Sequence, residues 1–138
     1  MAAITNINQT LVKAVNDGGF GLPIAYENIK FDKEVSSAYL SVFNIRAPTV
    51  QVELSWEGCD QHSGVFQIDI NYKQGQGVDV LTQKADEINA VFKNGAVFAG
   101  TEESVNISNV SAEPVSIGRG WATISMTINY YVFSRRVQ

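Results

Sequence analysis

The sequence predicts an α+β fold: an antiparallel (mixed) β-sheet with two helices packed on one face. Apolar residues recur at steps of three and four in two separate stretches, near 4–16 and 81–92, the signature of amphipathic helices. Strict alternation of apolar and polar residues marks other stretches, clearest over 66–72 and 121–133, the signature of half-buried strands. The order is helix, strands, helix, strands. At 138 residues the chain is long enough for one proper core, so residues 1–138 are expected to form a single domain.

The first helix rests on Ile4, Ile7, Leu11, Ala14 and Val15, which share one stripe. "NDGGFGLP" stops it, because glycines and Pro23 disfavour continuation. "LPIAYENIKF" then reads as a short extended piece, and "AYLSVFNI" has strand composition until Pro48. Val50, Val52, Leu54 and Trp56 alternate with polar residues, predicting a strand with one wet face. "EGCDQHSG" is polar with a glycine at each end and reads as a hairpin loop. Phe66, Ile68, Ile70 and Tyr72 mark the next strand. After a Gly-rich turn, Leu81, Ala85, Ile88 and Phe92 define the second helix, with Asn94-Gly95 as its stop. "AVFAG", "SVNISNV" and a long run from Trp121 to about Phe133 supply the remaining strands.

Composition narrows the function. The formal net charge is −4, and no basic stripe of the kind that grips nucleic-acid phosphates is present. Arg135-Arg136 reads as a solvated tail. The single cysteine, Cys59, excludes an intramolecular disulfide and a cysteine-rich metal site. The N-terminus lacks the basic-then-apolar order of a secretory signal, and no apolar run approaches the ~20 residues that span a bilayer. The chain is expected to be made in the cytoplasm as a soluble protein, with no cofactor.

Three constellations invite a chemical reading. "NYKQGQGVDVLTQKADEI" runs strand, glycines, helix, the order of a phosphate loop. Such a loop needs a lysine and a Ser/Thr where the helix begins, or a third glycine. Here Val78, Asp79 and Val80 follow Gly77, so the stretch reads as a strand-turn-helix joint with Asp79 set against the helix dipole. His62 lies near Cys59 and Asp60 in the expected loop, but a nucleophile or metal site needs further partners in fixed geometry. Asp69 sits between Gln67 and Asn71 on what is simply a polar face. No catalytic or metal-binding set emerges.

The last strand says more. Ala122, Ile124, Met126, Ile128, Tyr130 and Val132 form one face. The other mixes Thr, Ser and Asn with Trp121 at one end and Tyr131 and Phe133 at the other. Large aromatics on a nominally wet face either contact a partner or fold over the core. Together with Trp56, they are the candidate subunit-interface residues: Trp56, Trp121, Tyr131 and Phe133.

The middle of the chain resembles the tail terminator-like family of long-tailed bacteriophages. The resemblance is carried by Leu22, Pro23, Ala25, Glu27, Asn28 and Phe31, then Gly64 and Phe66, then Gly75 and Gly77, and finally Ala85, Asp86, Ile88 and Phe92. It covers about residues 20–95 and continues in element order to the C-terminal strands; "APTVQVELSWEGCDQHSG" is longer than the compact form of the family pattern. The resemblance implies a non-enzymatic virion subunit of the tail and neck. It implies a homo-oligomeric ring, typically hexameric, that caps the tail tube, ends its polymerisation and joins it to the head-tail connector protein. DNA would pass through the lumen without specific binding. Another neck component, such as a connector or completion protein of similar fold, is the alternative, and a small enzyme using His62, Cys59 or Asp69 a third.

Overall fold

A computed structural model describes residues 3–26, 38–46, 50–51, 59–75, 79–100, 104–118 and 120–135. The chain runs α1 (Ala3–Asp17), β1 (Ile24–Ala25), β2 (Ala38–Arg46), β3 (Val50–Gln51), β4 (Cys59–Lys73), α2 (Asp79–Val91), β5 (Val97–Ala99), β6 (Ser104–Ala112), β7 (Ser116–Gly118) and β8 (Trp121–Arg135). The main strand order is β1-β2-β4-β8-β6-β5, with β3 added to β4 and β7 to β8. Among the described strands, β1 with β2 pairs in parallel and the other pairs are antiparallel. This is the α+β architecture that the sequence predicts.

The spine is the β4–β8 pair, in register without a break from Cys59↔Arg135 to Lys73↔Trp121. Because successive side chains alternate faces, one uninterrupted register assigns every residue of both strands to a side. Phe66, Ile68 and Ile70 of β4 and Ile124, Met126, Ile128, Tyr130 and Val132 of β8 all enter the core. Leu40 and Val42 of β2 and Val105 and Ile107 of β6 extend that apolar surface. Both helices cover it, with Ile7, Leu11, Ala14 and Val15 from α1 and Leu81, Ala85 and Ile88 from α2. Each of these larger side chains contributes about 1.5–3 kcal/mol when taken out of water.

The ends of α2 are tied down in different ways. At its start, Gly75 adopts φ 101°, open to glycine and strained for a residue with a Cβ. The neighbouring Gln74 N–H donates to Gly120 O at 2.8 Å, fixing the turn to the start of β8. Asp79 opens the helix, where a negative side chain meets the positive dipole end. At the far end, Phe92 is fully buried between Phe66 and Phe98, with ring centroids 6.2 and 5.2 Å away. Midway, the Lys84 ammonium donates to Phe20 O and to Glu87 Oε1, joining α2 to the loop after α1. That lysine is 13% exposed, so its charge is held by partners in a largely dry place.

The structure corrects one sequence expectation. "EGCDQHSG" is not a hairpin loop from Cys59 onward: Cys59–Ser63 are the first part of β4, and His62 pairs with Val132. The polar composition is overridden because β8 offers a complete row of backbone partners and β3 pairs at Gln61 and Asp60. Residues 52–58, most of the strand expected over 50–56, lie outside the described residues, while β7 adds a short strand that the sequence pattern does not show.

Gly64 inside β4 faces a tyrosine across the sheet. It stands opposite Tyr130 on the core side, and the Tyr130 hydroxyl donates to Asn44 Oδ1 on β2 at 2.7 Å. The tyrosine therefore reaches past β4 to the next strand but one in the sheet order. Tyr130→Phe is expected to lower stability by about 1–2 kcal/mol through the lost buried hydrogen bond. Gly64→Val is expected to lower it by about 1–3 kcal/mol through overpacking. Urea unfolding checks both: the midpoints should fall with the slope unchanged.

Candidate subunit interface

The helices occupy one side of the sheet, which leaves a broad second face formed by the odd-numbered residues of β2, β4 and β8. Among its described side chains, Asp69 and Lys73 carry charge; the others are hydroxyl, amide, aliphatic or aromatic. Across the strands, Ser41, Asp69 and Ser125 lie in register, as do Phe43, Gln67 and Thr127. The face divides into two halves with different physics.

The half near Trp121 is closed by internal contacts. Asn71, on the nominally wet side, is 7% exposed. Its Nδ2 donates to Ser41 Oγ at 3.2 Å and Asp69 O at 3.3 Å, and its Oδ1 accepts from Thr123 Oγ1 at 2.8 Å. Beside it the Tyr39 and Trp121 rings meet edge to face, with centroids 5.0 Å apart at 83°. Trp121 is 9% exposed. Within the subunit this tryptophan packs on Tyr39, next to the polar cluster around Asn71. Such a cluster is stable because its buried amide makes bonds on both ends.

The other half is open and partly apolar. Tyr131 and Phe133 sit side by side on β8, centroids 5.6 Å apart, and Phe133 is 47% exposed. Across β4, roughly 10 Å away at the usual strand spacing, β2 presents Phe43 and Ile45, the latter 57% exposed. Val65 lies between them, paired with Ile45 and Asn129. An open groove of about 600 Å³ lies alongside, lined by Gln61, Ser63, Val65, Asn109, Asn129 and Tyr131. It forms where β6 shifts register between Ile107 and Asn109, since a bulge bends its strand away from the neighbour.

Tyr131 and Phe133 thus fall together on this surface, and Trp56 lies outside the described residues. Phe43 and Ile45 were missed by sequence reasoning. The available signal was that Val42 and Phe43 are apolar at successive positions and Ile45 shares a face with Phe43, which gives the strand an apolar residue on both faces. His62 and Asp69 stand on opposite faces of β4, an even and an odd position, so they form no acid-base pair. Among the described residues there is no group of three or more His, Cys, Asp or Glu placed to hold a metal. No helix among the described residues is long and apolar enough to cross a membrane.

With the fold and this face described, comparison with known proteins becomes decisive. The sequence profile described as phage tail terminator protein matches residues 1–130. The chain belongs to the phage tail terminator family. Membership gives it a structural role in the phage tail and makes it a virion tail component, in a family that is not normally enzymatic. No protein of curated function matches the sequence. One solved structure superposes over 100% of both chains with a TM-score of 0.79 at 22% identity, which establishes a shared fold.

The polar cluster makes a pH prediction. Burial pushes the Tyr39 phenol above its ordinary 10.0, a hydrogen bond with Ser41 works against that, and the Asp69 charge adds to it. As pH rises past 10, the unfolded chain gives up this proton before the folded chain does, so stability falls. Tyr39→Phe should remove that part of the alkaline loss and leave stability at neutral pH little changed in its pH slope. Thermal unfolding of both forms across alkaline pH measures the difference.

Proposed function

We propose that this tail terminator acts as a homo-oligomeric ring, of six subunits on the family pattern, that caps the tail tube and ends its polymerisation. The ring also presents a surface to the head-tail connector protein, and DNA passes through its lumen without specific binding. The observation that carries the proposal is the open half-face: exposed Phe133, Ile45 and Phe43 beside Tyr131, with no charge among them. Interface centres are poor in charge and rich in aromatics, and a patch of this kind in a tail subunit suits contact with the next subunit. Head-to-tail contacts between unlike surfaces close into rings when the rotation permits. The acidic balance of −4 offers few cations to hold DNA phosphates, which suits a passage that must release its cargo.

Ile45→Asp and Phe133→Asp should each shift the purified protein from ring to monomer, measured by native mass spectrometry, while leaving circular dichroism unchanged. Each places a charge where an uncharged contact is proposed, at a cost of several kcal/mol across the interface. Tails assembled without the protein should show uncontrolled lengths under electron microscopy. A wild-type protein that stays monomeric both at high concentration and on assembled tails sinks the ring.

A further inference from the structure

The joint between α2 and β5 carries a chemical liability unrelated to assembly. Asn94-Gly95 is the one Asn-Gly pair in the sequence, and both residues are exposed. A glycine after asparagine leaves the backbone nitrogen unshielded, so that nitrogen can approach the asparagine side-chain carbon. We propose that Asn94 is a site of spontaneous deamidation, and that the folded β5–β6 corner restrains it.

The step balances without any added oxidant or catalyst. The Gly95 amide nitrogen gives its proton to hydroxide or water and bonds to Asn94 Cγ, and the side-chain nitrogen leaves as ammonia. Water then opens the cyclic imide at either carbonyl. One product is aspartate; the other is isoaspartate, in which the main chain runs through the former side chain.

The fold obstructs both reacting groups. Gly95 N–H donates to Ile107 O at 2.9 Å, so the attacking nitrogen must first lose a bond. The Val110 N–H donates to Asn94 Oδ1 at 3.2 Å, so the carbon under attack is held by its own oxygen. Both partners lie around the β6 bulge between Ile107 and Asn109. Reaction therefore waits on local opening of this corner, the kind of event whose frequency is set by local rather than global stability.

The products differ in consequence. Aspartate keeps an oxygen that can accept from Val110 N–H. Isoaspartate adds a methylene to the main chain between positions 94 and 95. The extra length falls between the end of α2, where Phe92 N–H donates to Ile88 O, and the Gly95 N–H bond to Ile107 O, both 2.9 Å, so the corner must distort to keep both. That loosens β5, whose Phe98 packs on Phe92.

Peptide mass mapping of the full-length protein, incubated in mildly alkaline buffer with and without denaturant, tests this. The amide-to-acid mass gain should appear first at Asn94, mainly as isoaspartate, and at least about tenfold faster in denaturant, reflecting the local opening needed in the folded chain. Asn94→Gln should remove the gain from that peptide. The proposal is overturned by a gain that appears first at another asparagine, by equal rates folded and denatured, or by no gain in the denatured chain.

Discussion

Everything in this subunit hangs on the pairing of β4 with β8. Both strands are 15 residues long and their register never slips. A shift of one residue would turn Phe66, Ile68, Ile128 and Val132 toward the open side and carry Gln67, Asp69 and Asn129 into the core. The hydrophobic alternation of both strands and the burial offered by α1 and α2 thus agree on one alignment. The same pairing separates the molecule's two tasks, since one face becomes core and the other becomes available surface.

That second face is unusual in what it lacks. Exposed sheet faces normally carry mixed charges that keep a protein soluble and apart from its neighbours. Here hydroxyls and amides dominate one half, knitted together around Asn71, and apolar side chains dominate the other. A sheet face whose described side chains are poor in charge, opposite a helix that exposes Asp79, Asp86 and Glu87, gives the subunit a direction. A structural tail protein with an apolar half-face, and with no metal-holding acidic, histidine or cysteine group among its described residues, is physically consistent with membership in a family of tail terminators.

Much of the fold was legible in the sequence because periodicity and burial coincide there. Leu81, Ala85 and Ile88 announced α2, and the two faces of β8 could be read residue by residue. The joint "NYKQGQGVDVLTQKADEI" was legible for the opposite reason: Val78, Asp79 and Val80 lacked the groups a phosphate loop requires, and Gly75 proves to serve a turn at φ 101°. The start of β4 was not legible, because Cys59–Ser63 are strand by virtue of partners distant in sequence, which no local composition reports. The candidate surface was half legible. Tyr131 and Phe133 stood out among Ser, Thr and Asn, whereas Phe43 and Ile45 were hidden inside an apolar run, and the packing of Trp121 on Tyr39 depends on a contact across three strands.

The most direct measurement is electron cryo-microscopy of assembled phage tails, with the subunit fitted into the density at the head-proximal end. A closed ring of this chain at that end, with Phe43, Ile45, Tyr131 and Phe133 buried between neighbouring subunits, is the predicted result. Density that places the chain as isolated copies, or a ring in which this half-face stands open to solvent, would contradict it.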